Sequence, residues 1–301
     1  MKYLILTACI VFVSVSGATE AEDHSVDSVL AKLQVSAQAL ATYECRLDYL
    51  YWQPDMFDAK TLRKGRVFYK RTSGKSFLRI NFETLKEDEF DEQPYAEHFV
   101  FDGCWLTIIN HVQKTIQKHE VAEPNQPVNA FELAGGDMPI IGFSPTDDLK
   151  KEFDITLVRA QEEDETSVKL HLKVKPESKY KDNYASLDFW VSTKRWLPDR
   201  IDALTKDNDI YQLHFTRAKV NSKITDKQFE TKIPGGFSAP EVFPMKRTPP
   251  KRNHRSRAGR WNGSPIGVLH SATCNYIRCR FSRIDLSTRP TSLGLDTFCL
   301  R

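Results

Sequence analysis

In 301 residues the chain carries 43 Lys+Arg against 40 Asp+Glu, with 40% hydrophobic and 28% charged residues, which excludes disorder throughout and allows one large core or two ordinary ones. The net charge of +3 hides a split: residues 245–301 hold 12 Lys+Arg and 2 acids, whereas residues 18–244 hold 30 Lys+Arg and 38 acids. An acidic body offers no basic face to a phosphate backbone, so the composition gives no support for nucleic acid as a partner.

The chain opens with Lys2, then the apolar run from Tyr3 to Val15, then the small residues Ser16, Gly17 and Ala18 ahead of Glu20, Glu22 and Asp23. This order predicts a secretory signal over residues 1–17 and hence export, and the run is too short for a membrane span. Leu6-Thr-Ala-Cys9 resembles a lipoprotein cleavage box that would place a lipid on Cys9. The apolar stretch continues past that cysteine, however, which favours cleavage near Gly17.

Ser25 to Ala41 reads as an amphipathic helix. Val26, Val29, Leu30, Leu33, Ala37 and Leu40 fall on one stripe, with Ser25 as N-cap. Period-two segments follow at 42–52, 62–71, 76–84, 97–101, 104–110, 112–120, 154–160, 166–175, 184–193, 199–204 and 210–220. Eleven strands with short turns predict a mainly β antiparallel meander with one covered face. Two stretches interrupt it. Residues 85–95 read as an acidic loop. Residues 121–152 contain four prolines, Gly135-Gly136 and the apolar patch Met138–Phe143, and so read as a lid or cover rather than a plain connection.

From Met245 onward Arg outnumbers Lys 10 to 2, whereas in residues 1–244 the ratio is 9 to 22. The segment 245–301 reads as a disordered extension, or as the product of a shifted reading frame; an Arg-rich arm for a membrane or nucleic acid is the alternative. Of the six cysteines, Cys45 and Cys104 lie in the body. Two are too few for a disulfide framework, and they read as small buried hydrophobes.

Catalytic patterns are missing: the sequence has no H-E-x-x-H, no G-x-S-x-G and no phosphate-binding glycine loop. His111 and His119 would stand about 26 Å apart on an extended strand, too far to share a metal. The expectation is a binding protein without cofactor or metal. A curved sheet covered by helices encloses an apolar ligand wherever side chains do not fill its interior.

Four stretches carry a family resemblance. They are the helix Val26-Asp-Ser-Val-Leu-Ala-Lys-Leu33; the strand Gly65-Arg-Val-Phe-Tyr-Lys-Arg71 with Phe77-Leu-Arg-Ile80; the hairpin Val100-Phe-Asp-Gly-Cys-Trp-Leu-Thr-Ile-Ile109; and the closing Phe229-Glu-Thr-Lys-Ile-Pro-Gly-Gly-Phe237. Together they resemble the periplasmic lipoprotein carrier and sorting family (LolA-like). The resemblance implies, for residues 18–244, an incomplete antiparallel β-barrel whose helices cover an apolar cavity. It also implies that the cargo is the acyl chains of lipoproteins or other amphiphiles. The fold equally serves periplasmic sensors that read lipid or lipoprotein signals for a membrane-bound partner protein. The apolar parity of the first three strands places Tyr49, Tyr51, Val67, Tyr69, Leu78, Ile80 and Phe82 along such a cavity, or in a filled core. Arg71 matches an arginine that, in the carriers, latches the lid through loop carbonyls; here those would belong to the 121–152 insertion.

If the tail lies outside the fold, a chain ending at Pro244 should melt within a few degrees of the full-length protein. A larger drop in melting temperature would show that the tail packs on the body.

Overall fold

A computed structural model describes residues 25–131, 138–140, 143, 146–158 and 166–245. The predicted signal segment with Cys9, and the tail beyond Met245, lie outside these residues. The helix α1 spans Val26–Ala39, where the Ser25 hydroxyl accepts the Ser28 amide at 3.2 Å and closes the first turn. Its stripe buries Val29, Leu30 and Leu33.

Strands follow as β1 (Thr42–Gln53), β2 (Ala59–Arg71), β3 (Ser76–Glu87), β4 (Gln93–Phe101), β5 (Trp105–Asn110) and β6 (Thr115–Glu120). After the insertion come the short helix α2 (Thr146–Glu152), then β7 (Phe153–Val158), β8 (Ser167–Val174), β9 (Tyr184–Ser192), β10 (Pro198–Thr205), β11 (Ile210–Val220) and β12 (Glu241–Phe243). All form one sheet in the order β12-β6-β5-β4-β3-β2-β1-β11-β10-β9-β8-β7. Two antiparallel meanders, β1 to β6 and β7 to β11, are thus joined by the pairing of β1 with β11, from Tyr43 opposite Val220 to Trp52 opposite Ile210. Among the described residues the outermost strands β7 and β12 do not pair, and the sheet stays open: an incomplete barrel.

Side-chain alternation sets which face is covered. On β1, Tyr43, Cys45, Leu47, Tyr49 and Tyr51 are buried while Glu44, Arg46 and Asp48 alternate with them at greater exposure. The inward residues of both meanders meet those of α1 and of the insertion in one core, which includes Leu170, Leu187, Phe189, Ile201, Leu213 and Phe215.

Two expectations are corrected. The acidic stretch 85–95 is not a loop but the end of a long β3–β4 hairpin, because its carboxylates have partners. Asp88 Oδ1 accepts the Lys60 amide at 2.7 Å. Glu92 takes Lys64 Nζ at 2.7 Å and the Thr84 hydroxyl. The eleven strands gain a twelfth, β12, which runs parallel to β6 with Glu241 opposite Gln117.

The path to β12 is a strap, residues 221–240, across the outer face. Asn221 fixes its start by accepting the Ala41 amide at 2.8 Å and donating to the Ala39 carbonyl at 3.1 Å. A 3-10 turn, Asp226–Phe229, lies over β3. There Arg79 donates to the carbonyls of Gln228 at 3.2 Å and Glu230 at 3.0 Å, and Phe77 meets the Phe229 ring at 5.6 Å. Farther on, Phe237 packs edge-on against His111 at 5.2 Å, and the Met245 amide donates to Glu120 at 3.1 Å.

Under the strap, burial, with Arg79 and His111 beside it, pushes His98 down to about 4; Glu83 opposes the shift. An unfolded chain protonates this imidazole near 6.5. Between those values the unfolded state holds the extra proton, so stability is fully present above about 6.5 and falls as pH drops toward 4. Thermal melts from pH 7 to 4.5 should therefore fall less steeply for His98→Gln than for wild type; equal slopes would refute this. A second expectation concerns Gly65, where a Cβ would stand 1.9 Å from the Asn81 carbonyl oxygen. At this point β3 carries an extra residue, with Lys64 opposite Thr84 and Gly65 opposite Phe82. Gly65→Ala should lower stability by about 1–3 kcal/mol, read as a lower urea midpoint at unchanged slope.

Candidate ligand-binding face

The seven residues assigned to the cavity lie on three adjacent strands and face the same side. Tyr69 stands opposite Leu78, Val67 opposite Ile80, and Gly65 opposite Phe82 across β2 and β3. On β1, Tyr49 and Tyr51 stand opposite Arg63 and Thr61. All seven are buried, and none is more than 7% exposed. Tyr49 lies between the rings of Phe82 at 5.9 Å and Tyr211 at 6.0 Å. Tyr51 stacks on Tyr211 at 4.9 Å and donates its hydroxyl to Asp209 at 2.6 Å.

The cover has two parts. α1 contributes Val29, Leu30 and Leu33. The insertion contributes Phe131, Met138, Ile140 and Phe143, all buried. Phe131 lies over Tyr69 at 4.3 Å, and Phe143 reaches Tyr43 at 5.3 Å and Phe215 at 5.6 Å. Among the described residues, polar bonds tie these parts to each other and to the sheet. The Gln34 side chain of α1 accepts both the amide (2.6 Å) and hydroxyl (2.9 Å) of Thr146 at the start of α2. Lys150 meets Asp27 at 2.8 Å, and the Ala130 amide donates to the Ser76 hydroxyl at 2.8 Å.

Arg71 is exposed, and its guanidinium donates to the Gln38 carbonyl of α1. Its parity with Val67 and Tyr69 predicts a head over the apolar side; instead β2 ends at Arg71 and the side chain turns to the helix. Among the described residues its acceptor belongs to α1, not to the insertion.

Strand patterning did not single out a polar cluster at the far end of the same face. Arg63 is 2% exposed and Glu97 4%, and they form an ion pair at 3.6 Å. Glu97 also accepts from the Tyr95 hydroxyl at 3.0 Å and the Asn110 amide at 3.2 Å. The Arg63 guanidinium lies 5.7 Å from the rings of both Phe82 and Tyr95. Burial raises the Tyr49 phenol well above its ordinary value, so this hydroxyl stays protonated and able to donate. Counting back by two from Tyr69 and Val67 reaches Gly65 and then Arg63, and counting back from Phe101 and Phe99 reaches Glu97. Parity alone would have placed both inside.

Cys45 and Cys104 are free and buried, and burial pushes the Cys45 thiol up to about 12. His111 lies beside His98 at 4.8 Å, and His119 stacks on Phe243 at 4.6 Å. Among the described residues no group of His, Cys, Asp or Glu could hold a metal ion, and no helix is long and apolar enough to cross a membrane. On the outer face a shallow cleft of about 390 Å³ opens between the strap and Glu44, Arg66, Phe68 and Asn81.

No family model and no curated protein matches the chain. Solved structures similar to it include an uncharacterized conserved protein from Thermus thermophilus, at 12% identity and TM-score 0.42, over 74% of this chain and 100% of that one. MucB, at 12% identity and TM-score 0.42, aligns over 68% of this chain and 62% of its own; a further structure holds Pseudomonas aeruginosa MucB in complex with MucA. A putative outer membrane lipoprotein-sorting protein domain from Vibrio parahaemolyticus aligns at 8% identity and TM-score 0.34, over 67% of this chain and 94% of that one.

Proposed function

We propose that the protein is exported and binds an acyl chain or another amphiphile against the inner face of β1, β2 and β3, as a carrier in outer-membrane lipoprotein sorting. The observation that supports this reading is how the apolar face is covered. Among the described residues α1 and the insertion cover this sheet with apolar side chains, as separate elements packed on its face rather than as strands of its ladder. Lifting them would uncover the apolar side of β1, β2 and β3, which water opposes and an acyl chain does not. In this scheme Arg71 is a latch on α1: its bond to the Gln38 carbonyl holds the helix end against β2. Two of the four motifs that resemble the lipoprotein carriers lie on these same elements, α1, β2 and β3.

A fluorescent fatty-acid probe tests the reading. Saturable binding by the folded protein is expected, weakened by Ile80→Glu under conditions where circular dichroism shows the fold retained. Absence of binding by the folded wild type would end the proposal. Mass spectrometry of material co-purifying from the native envelope separates the roles: lipid or lipoprotein supports a carrier, and one stoichiometric protein partner supports a regulatory role.

A further inference from the structure

The inward parity of β2 that carries Val67 and Tyr69 also carries Arg63. Arg63 is 2% exposed, and a guanidinium buried this far needs acceptors for its five N–H donors. The structure supplies too few. Glu97 stands 3.6 Å away, longer than a charge-assisted hydrogen bond, and its two oxygens already accept from Tyr95 and Asn110. Arg63 Nε has no hydrogen-bond partner, and Nη1 has none beyond that ion pair. The buried hydroxyl of Tyr49 is also unpartnered. Tyr49 is the residue directly opposite Arg63 on β1, and both side chains lie against Phe82. Two orphaned donors of different kinds therefore meet at one end of an otherwise apolar face.

We propose that Arg63 and the Tyr49 hydroxyl form a head-group subsite that takes the single carboxylate of an amphiphile such as a long-chain fatty acid. The inference rests on the lipid-binding reading above and names its substrate class. One carboxylate oxygen accepts from Arg63 and the other from Tyr49. A monoanion fits better than a phosphate dianion because Glu97 already places one negative charge beside the guanidinium. The apolar chain then lies along β2 and β3 toward Tyr69 and Leu78. From Arg63 to Tyr69 the strand advances about 20 Å, the scale of a long acyl chain.

The test compares oleate with oleyl alcohol, both delivered from cyclodextrin to the full-length protein at pH 7.5 and measured by equilibrium dialysis. Wild type should hold oleate at least about ten-fold tighter, the size expected of hydrogen bonds to a charged group. The double variant R63M/E97Q, which removes both charges together so that neither is left buried alone, should bring the two ligands within about two-fold. Equal affinity of wild type for both ligands overturns the head-group subsite while leaving the apolar face intact as a binding site. Binding of neither overturns the lipid-binding reading itself, and this inference with it. Carbon NMR of carboxyl-labelled oleate on the wild type gives a readout that does not depend on the variant folding: a carboxyl resonance that stays ionised and is displaced from free oleate supports the subsite, and one identical to free oleate overturns it.

Discussion

The pairing of β1 with β11 is the seam on which the architecture depends. Without it the chain is two separate meanders, each with one apolar side and nothing to close over it. Nine residue pairs, from Tyr43–Val220 to Trp52–Ile210, turn them into one sheet with a single inner face. Asn221 reinforces the seam at its upper end by binding the backbone on both sides of the α1–β1 junction. The helix, the core and the strap all take their positions from this line. The residues that would meet a ligand lie on the three strands beginning at it.

Most of the fold was legible because one covered face writes a period of two into each strand. Val168, Leu170 and Leu172 are buried on β8 where the pattern places them. Legibility failed where pattern and partner disagreed. β12 is three residues between Pro240 and Pro244 and has too little alternation to see; its pairing with β6 and the stacking of Phe243 on His119 hold it. The acidic hairpin looked like a loop because charge obscures alternation, yet Lys64 on the neighbouring strand supplies what Glu92 needs.

The candidate face shows the same division. Its apolar members followed from parity. Arg63 and Glu97 obey the identical parity, but a charge is normally assigned to solvent, and only the ladder shows that β2 and β4 bring them together inside. Arg71 failed in the opposite sense, since its parity pointed inward while the strand ended and left the side chain free to reach α1. A buried ion pair with unfilled donors adds little to stability in its own right. Its presence on an apolar surface is therefore better read as recognition than as structure.

The strap has a consequence for the order in which the molecule can be assembled. Residues 221–245 are the last of the described body to be synthesised, and they supply the only described neighbour of the outer edge of β6. The seam also closes late, because the contact that fixes its end joins residues 180 apart in sequence. Until β11 and the strap arrive, the first meander stands with both flanking strands bare and its apolar side unshared, the state in which sheets pair with the wrong chain. Contacts this distant also make folding slow. The vulnerable form of this protein is thus its own N-terminal half, waiting for the rest of the chain.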